Sequence, residues 1–340
     1  MIHPAARGIR RLVIALILLV SLKAAHAGDW ITLVPNPAFS RDLAMGMSTI
    51  ALSYAPQSQS INPAGLRLFD PDRGWRATLV VNPGGFLQLG KSRPAAAPER
   101  NTLDQVSDGV RTLTTAAALQ ARIIAIAVFL SQPVMLAGDT ARYNDYENRS
   151  PLDGHQNSLL VSLALHPRVA VGGRVDRYYS WDRPQGESYS YGVILRPRGV
   201  RVGVQYQRFP ESGVRLWHPL DHRSDQTTTA GVAIVRENLT LAMQVMNLTE
   251  SSKPAFLEPH AGVEWRPVRA LALRAGGTQF SRSRSWAWTA GIGLLDANWF
   301  RSRAARLLVP DDVIQVALGV IYSRRTPVLG IGSLTCAWRF

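Results

Sequence analysis

The sequence predicts an all-β protein: a transmembrane antiparallel β-barrel of about 14 strands, with an N-terminal plug and one short extramembrane helix. Three observations predict it. From Trp75 onward, short segments alternate apolar and polar residues with period two, which marks strands with one apolar face. Tight turns and longer polar stretches join these segments in alternation, as in membrane barrels. The chain also opens with an export signal, yet no later run approaches the roughly 18 apolar residues that a membrane helix needs.

Composition agrees with one polar and one apolar face. Hydrophobic residues make up 46% and charged residues 18% of the 340 residues. Mean hydropathy is −0.02, too polar for a helical membrane bundle. The single cysteine, Cys336, excludes an intramolecular disulfide and any metal site built on cysteines. The histidines are scattered without paired ligand spacing, so neither a metal nor a cofactor is expected. The net charge is +14; Arg7, Arg10, Arg11 and Lys23 lie in the leader, which leaves +10 for the rest (14 − 4). No recognition or stacking motif turns that charge toward nucleic acid, so an anionic lipid surface or anionic solute is the expected partner.

Residues 1–27 read as a signal peptide. Three arginines precede the apolar core Leu12–Leu22, and Ala25-His26-Ala27 is a small-x-small cleavage site. Residues 28–73 are rich in turn formers (Pro35, Asn36, Pro37, Pro56, Pro63, Pro71) and must fold against a partner surface, so they are assigned to the plug. Within them, Asn62-Pro63-Ala64-Gly65 stops any regular element. Proline lacks a donor and restricts the residue before it, while Gly65 permits a positive φ.

Residues 74–340 form the barrel. Trp75, Ala77, Leu79 and Val81 alternate with Arg76, Thr78 and Val80 in the first strand. Residues 83–121 read as a long extracellular connection. It carries a helix at about 102–119, from Leu103, Val106, Val110 and Leu113 at helical spacing and a cap at Asn101 or Thr102. Hairpins follow. Ile123–Leu130 leads to a tight turn at Gln132-Pro133, and Val134–Tyr143 returns. Further tight turns fall at His166-Pro167-Arg168, Arg196-Pro197-Arg198-Gly199, Arg236-Glu237-Asn238 and Arg266-Pro267-Val268. Counting back from a periplasmic C-terminus puts all of these on the periplasmic side. The long link at 296–312 and the short one at 281–285 fit that pattern less well.

Parity then sorts the side chains. Val200, Val202, Val204 and Tyr206 share one face, as do Leu239, Leu241 and Met243, and Trp286 and Trp288. A charge on a lipid face near the midplane costs roughly 2–4 kcal/mol. Arg76, Arg174, Asp176, Arg201, Glu264 and Arg274 are therefore placed in the lumen, together with Gln205, Gln244 and Arg339. Two uses remain open for them: a basic lumen that attracts anionic solutes, or ion pairs such as Arg174 or Arg274 with Asp176 or Glu264 that tie plug and wall together. A soluble β-sandwich would also alternate. The last strand argues against it, with Cys336, Trp338 and Phe340 on one phase. A terminal aromatic resembles the assembly signal of outer-membrane proteins, though Thr335 stands where glycine is common.

The stretch Ser40-Arg41-Asp42-Leu43-Ala44-Met45-Gly46-Met47, followed by Asn62-Pro63-Ala64-Gly65-Leu66, resembles the N-terminal region of FadL-type and PorV-type outer-membrane barrels. The match covers residues 40–66; the rest of the chain agrees in architecture. The resemblance implies a plug, with Met45, Gly46, Asn62, Pro63, Ala64 and Gly65 as its motif, and a bacterial outer-membrane location after cleavage near Ala27. It also implies partners: outer-membrane lipid, the barrel-assembly machinery through Trp338 and Phe340, and a small hydrophobic solute or an exported protein. FadL-type relatives imply plug-gated passage of hydrophobic or amphipathic solutes. PorV-type relatives imply a non-transporting role in secretion or attachment, and a structural barrel is the other non-transporting alternative. No enzymatic activity is expected. His218 and His222 sit in a polar loop with Pro219, and no Ser/His pair has a third orienting group.

Overall fold

The computed structural model describes residues 31–33, 41–42, 44–52, 62–68, 75–81, 114–133, 155–180, 183–197, 199–208, 226–246, 248, 257–268, 271–280, 285–294, 314–323 and 326–339. The leader, residues 83–113, the expected strand at 134–143 and Phe340 lie outside them.

The described chain is dominated by one 15-stranded sheet. Its strands are β1 (Ile31–Leu33), β2 (Trp75–Val81), β3 (Thr114–Ala121), β4 (Ile124–Pro133), β5 (His155–His166), β6 (Val169–Ser180), β7 (Arg183–Leu195), β8 (Val200–Arg208), β9 (Gln226–Val235), β10 (Leu239–Met246), β11 (Glu258–Val268), β12 (Leu271–Phe280), β13 (Ser285–Leu294), β14 (Ile314–Ser323) and β15 (Thr326–Arg339). From β2 to β15 each strand pairs antiparallel with the next in sequence. β15 pairs with β14 on one side and, through residues 336–339, with residues 78–81 of β2 on the other. The short β1 runs parallel to residues 330–332 of β15.

Short links between β3 and β4, β5 and β6, β7 and β8, β9 and β10, and β11 and β12 fall at one end of the strands, together with the long link between β13 and β14. The long links 82–113, 134–154, 209–225 and 247–257 fall at the other end, together with the short ones between β6 and β7, β12 and β13, and β14 and β15.

Two expectations are corrected. Residues 114–119, assigned to the helix, are strand: β3 pairs with β2 and β4 over its length. The helical spacing ends at Leu113. Beyond it, Ala116–Gln120 alternate buried and exposed positions. Alanine favours helix locally, but two hydrogen-bonded neighbours override a preference of a few tenths of a kcal/mol, roughly, per residue. Gln132-Pro133 is likewise no turn. Both residues continue β4 and pair with Gln156 and His155, after an irregularity that begins at Phe129. A bulge there accommodates proline late in the strand. The tight turn of this region is Arg122-Ile123, with Arg122 at φ 29°.

The two faces of the sheet differ sharply. One exposes large apolar side chains: Leu119, Ile126, Val128, Leu159, Tyr191, Val193, Val204, Leu241, Met243, Trp286 and Trp288, with Met243 at 63%. Trp286 and Trp288 stack on it at 6.1 Å. The other face is buried and largely polar, and residues 41–42, 44–52 and 62–66 lie against it.

Candidate functional site: the N-terminal segments on the inner face

Asn62-Pro63-Ala64-Gly65 is a helix start. Pro63–Leu68 forms a 3-10 helix. Pro63 takes its first position, where a missing N–H costs nothing. The Asn62 side-chain oxygen accepts from the Ala64 N–H (3.1 Å), and the Asn62 carbonyl accepts from the Gly65 N–H (2.8 Å), as a cap should. The other end of the same side chain reaches the wall. Asn62 Nδ2 donates to the Val193 carbonyl of β7 and the Val204 carbonyl of β8, both at 2.9 Å. These two residues face each other across the strand pair. One asparagine thus caps the turn and fixes it to two strands.

Upstream, Met45 N–H donates to the Arg41 carbonyl (3.0 Å), and the chain then turns through Gly46 and Met47 at φ 62° and 63°. A positive φ suits glycine and strains methionine, so tertiary contacts must hold Met47 in place. The wall supplies contacts on either side of it. Thr289 Oγ1 of β13 donates to the Ala44 carbonyl (3.1 Å). His260 Nδ1 of β11 lies 2.7 Å from the Gly46 carbonyl, which can only accept, so that nitrogen carries a proton. Gln244 Oε1 of β10 accepts from the Ile50 N–H (2.9 Å). On the far side, Ser162 Oγ of β5 donates to the Ala64 carbonyl (3.1 Å), and Gln120 Nε2 of β3 donates to the Leu66 carbonyl.

These bonds require the two backbones to touch the wall, and glycine permits it. A Cβ at Gly192 would fall on the Asn62 side chain, and one at Gly262 on the Met45 carbonyl. At Gly276 it would strike the Met45–Gly46 peptide, and at Gly172 the Pro63–Ala64 peptide. By contrast, a Cβ at Gly173, one residue out of phase, would find its nearest neighbour at 3.9 Å.

Among the described residues, two groups of buried charges involve the residues named from the sequence. Glu264 is fully buried and is held by three guanidinium groups. Arg41 binds it through Nε (2.7 Å) and Nη2 (3.0 Å). Arg274 Nε, on the facing strand β12, donates at 2.7 Å, and Arg266 Nη2 at 2.9 Å. A buried carboxylate needs such partners, because removing a charge from water is repaid only by close opposite charge and hydrogen bonds. In the second group Arg174 Nε donates to Asp176 Oδ2 at 3.0 Å, both side chains almost fully buried. The sequence left open which of Arg174 and Arg274 would pair with which of Asp176 and Glu264; the structure joins Arg274 to Glu264 and Arg174 to Asp176. Arg201 is half-buried on β8. For Arg76 and Trp338 the structure describes only the backbone, in β2 and β15.

Sequence reasoning brought Met45, Gly46 and Asn62–Gly65 together as one motif, and the structure sets all of them against the same face. It missed Arg41, His260, Thr289, Ser162 and Gln120 as their partners. Among these, Gln120 and Ser162 could have been found from strand parity once β3 and β5 had their bounds. Among the described residues, no group of His, Cys, Asp and Glu could hold a metal ion.

No family model matches the chain. No curated protein matches it either. Solved structures similar to it include mutants of the porin of Rhodopseudomonas blastica. A triple mutant is 12% identical over 78% of this chain and 98% of its own, with a TM-score of 0.39. Another mutant is 11% identical over 67% and 78%, with a TM-score of 0.38.

Proposed function

We propose that β2–β15 close into a barrel that spans a bacterial outer membrane. These are the strands of the 15-stranded sheet without the short β1, fourteen in all. The N-terminal segment after β1, residues 34–73, plugs its lumen and gates the passage of hydrophobic or amphipathic solutes, as the resemblance to FadL-type barrels implies; β1 itself joins the wall beside β15. One observation carries the reading: the buried face holds Ala44–Ile50 and Asn62–Leu66 by hydrogen bonds with β3, β5, β7, β8, β10, β11 and β13, while the opposite face exposes a broad apolar surface.

Water would not tolerate that outer surface on a monomer, since contiguous exposed apolar patches rarely exceed a few hundred Å², roughly. A bilayer favours it. The β15–β2 pairing supports closure, because a sheet in a bilayer can leave no unpaired edge. A lumen of this size must be filled or gated, and the N-terminal segments occupy it.

The test is uptake of a labelled fatty acid or aromatic hydrocarbon by cells with and without the protein. Faster uptake in its presence is expected. Equal uptake overturns the transport reading.

A further inference from the structure

We propose that the tight-turn end of the wall carries a headgroup site for an anionic phospholipid, built from Arg122, Arg168, Arg196 and Arg236. This rests on the reading that the apolar outer face meets a bilayer, and it names the lipid that one rim of that face selects.

Four successive hairpins turn at this end: β3–β4, β5–β6, β7–β8 and β9–β10. Their links, 122–123, 167–168, 196–199 and 236–238, hold five arginines and one acid, Glu237. Arg122, Arg168 and Arg236 are exposed, and Arg196 is half-buried. The sheet stays bonded up to this rim. The Arg196 N–H donates to the Arg168 carbonyl (2.8 Å), and the Arg236 N–H to the Leu239 carbonyl of its own hairpin (2.8 Å). Neighbouring hairpins lie two interstrand spacings apart, so the arginines recur roughly every 10 Å along the rim.

Pairing separates these four from the arginines of the wall. Arg41, Arg266 and Arg274 hold Glu264, and Arg174 holds Asp176. Even the exposed Arg177, at the opposite end of the strands, holds Glu187 (2.8 Å). Among the described residues, no carboxylate pairs with Arg122, Arg168, Arg196 or Arg236. Their summed field favours an anion.

The outer face beside the arginines says which anion. Ile123 follows Arg122, and Leu195 precedes Arg196. Leu165 lies three residues before Arg168, and Leu239 three after Arg236. All four are exposed large apolar side chains. Two exposed tryptophans mark the same level: Trp75 pairs with Ala121, next to Arg122, and Trp265 pairs with Leu239. Indole rings collect where acyl chains meet headgroups, so arginines one to three residues nearer the turn stand at the height of the phosphates. The planar guanidinium presents paired donors that match a phosphodiester. A zwitterionic headgroup cancels its phosphate charge with its own ammonium, so a basic rim selects the anionic lipid. A soluble anion or a cell-wall polymer would make no use of the apolar neighbours.

The experiment refolds the protein into phosphatidylcholine vesicles that carry dibrominated phosphatidylcholine or dibrominated phosphatidylglycerol at equal mole fraction. Tryptophan quenching then gives the relative association constant of the two lipids. The native protein is expected to prefer phosphatidylglycerol. Arg122→Gln, Arg168→Gln, Arg196→Gln and Arg236→Gln should each weaken that lipid about fivefold at the site concerned. The quadruple variant should be quenched equally by both lipids, and Glu237→Gln should strengthen the preference. Molar salt, with a Debye length of about 3 Å, should abolish it. Refolding is checked by heat-modifiable gel mobility; should the quadruple variant fail to refold, the four single variants decide by the same signs. No preference in the native protein, or one that survives in the variants, overturns the rim site, as does arginine-dependent sedimentation with purified peptidoglycan in place of a lipid preference. If neither brominated lipid quenches the native protein, the bilayer reading itself falls.

Discussion

Arg41 of the N-terminal segment clamps Glu264 of β11 with two parallel hydrogen bonds, at 2.7 and 3.0 Å. This bidentate geometry is the strongest that a guanidinium and a carboxylate make. It joins residues far apart in sequence, and Glu264 also serves Arg266 and Arg274. The two partners are therefore unequal. Glu264→Gln strands buried guanidinium charge and should cost about 3–5 kcal/mol. Arg41→Ala leaves Glu264 two arginines and should cost less, about 1.5–3 kcal/mol. Urea midpoints in detergent micelles measure both, and the order of the two losses is the prediction.

Asn62 is used as a donor to the wall and as an acceptor within its own turn. Asn62→Asp keeps the cap and sets a carboxylate oxygen against the Val193 and Val204 carbonyls. The expected cost is about 1–3 kcal/mol, with the N-terminal segment becoming sensitive to limited proteolysis. An aspartate variant as resistant as the native protein would show that the contact with β7 and β8 does not hold the segment.

The glycines separate contact from composition. Gly192→Ala and Gly262→Ala should each release the N-terminal segment at an overpacking cost of about 1–3 kcal/mol. Gly173→Ala, one residue from Gly172 on the other face, should have almost no effect. Protease sensitivity of residues 41–66 is the measurement, with heat-modifiable mobility to show that the wall still forms.

The outer face makes its own prediction. Met243 is 63% exposed in the middle of β10. If lipid covers it, Met243→Arg should destabilise the protein in vesicles by about 2–4 kcal/mol. On a water-facing surface the same change would fall within about 0.5 kcal/mol. Urea unfolding in lipid vesicles distinguishes the two.

The parts of this architecture that were legible in the sequence are those where polarity alternates. Gly203–Gln207 and Leu239–Gln244 alternate large apolar with small or polar side chains, and parity alone separated their more exposed from their buried residues. β3 lacks that contrast. Two of its buried positions, Ala116 and Ala118, are alanines in the cluster with Leu66, so most of the strand reads as apolar on both faces and a preceding helical spacing runs into it. Pro133 looked like a turn because a bulge that tolerates proline leaves no mark in one sequence. Asn-Pro-Ala-Gly announced a stop, and its capping role follows from residue chemistry. Its bonds to β7 and β8, like the reach of Arg41 to Glu264, belong to tertiary packing, which no local pattern encodes.

Single-channel conductance in planar bilayers tests the central claim most directly, by comparing the intact protein with a variant lacking residues 34–73. The account predicts small or rare steps from the intact protein and large, sustained steps from the variant. Equal conductance would contradict it, because residues 41–66 would then not close the lumen.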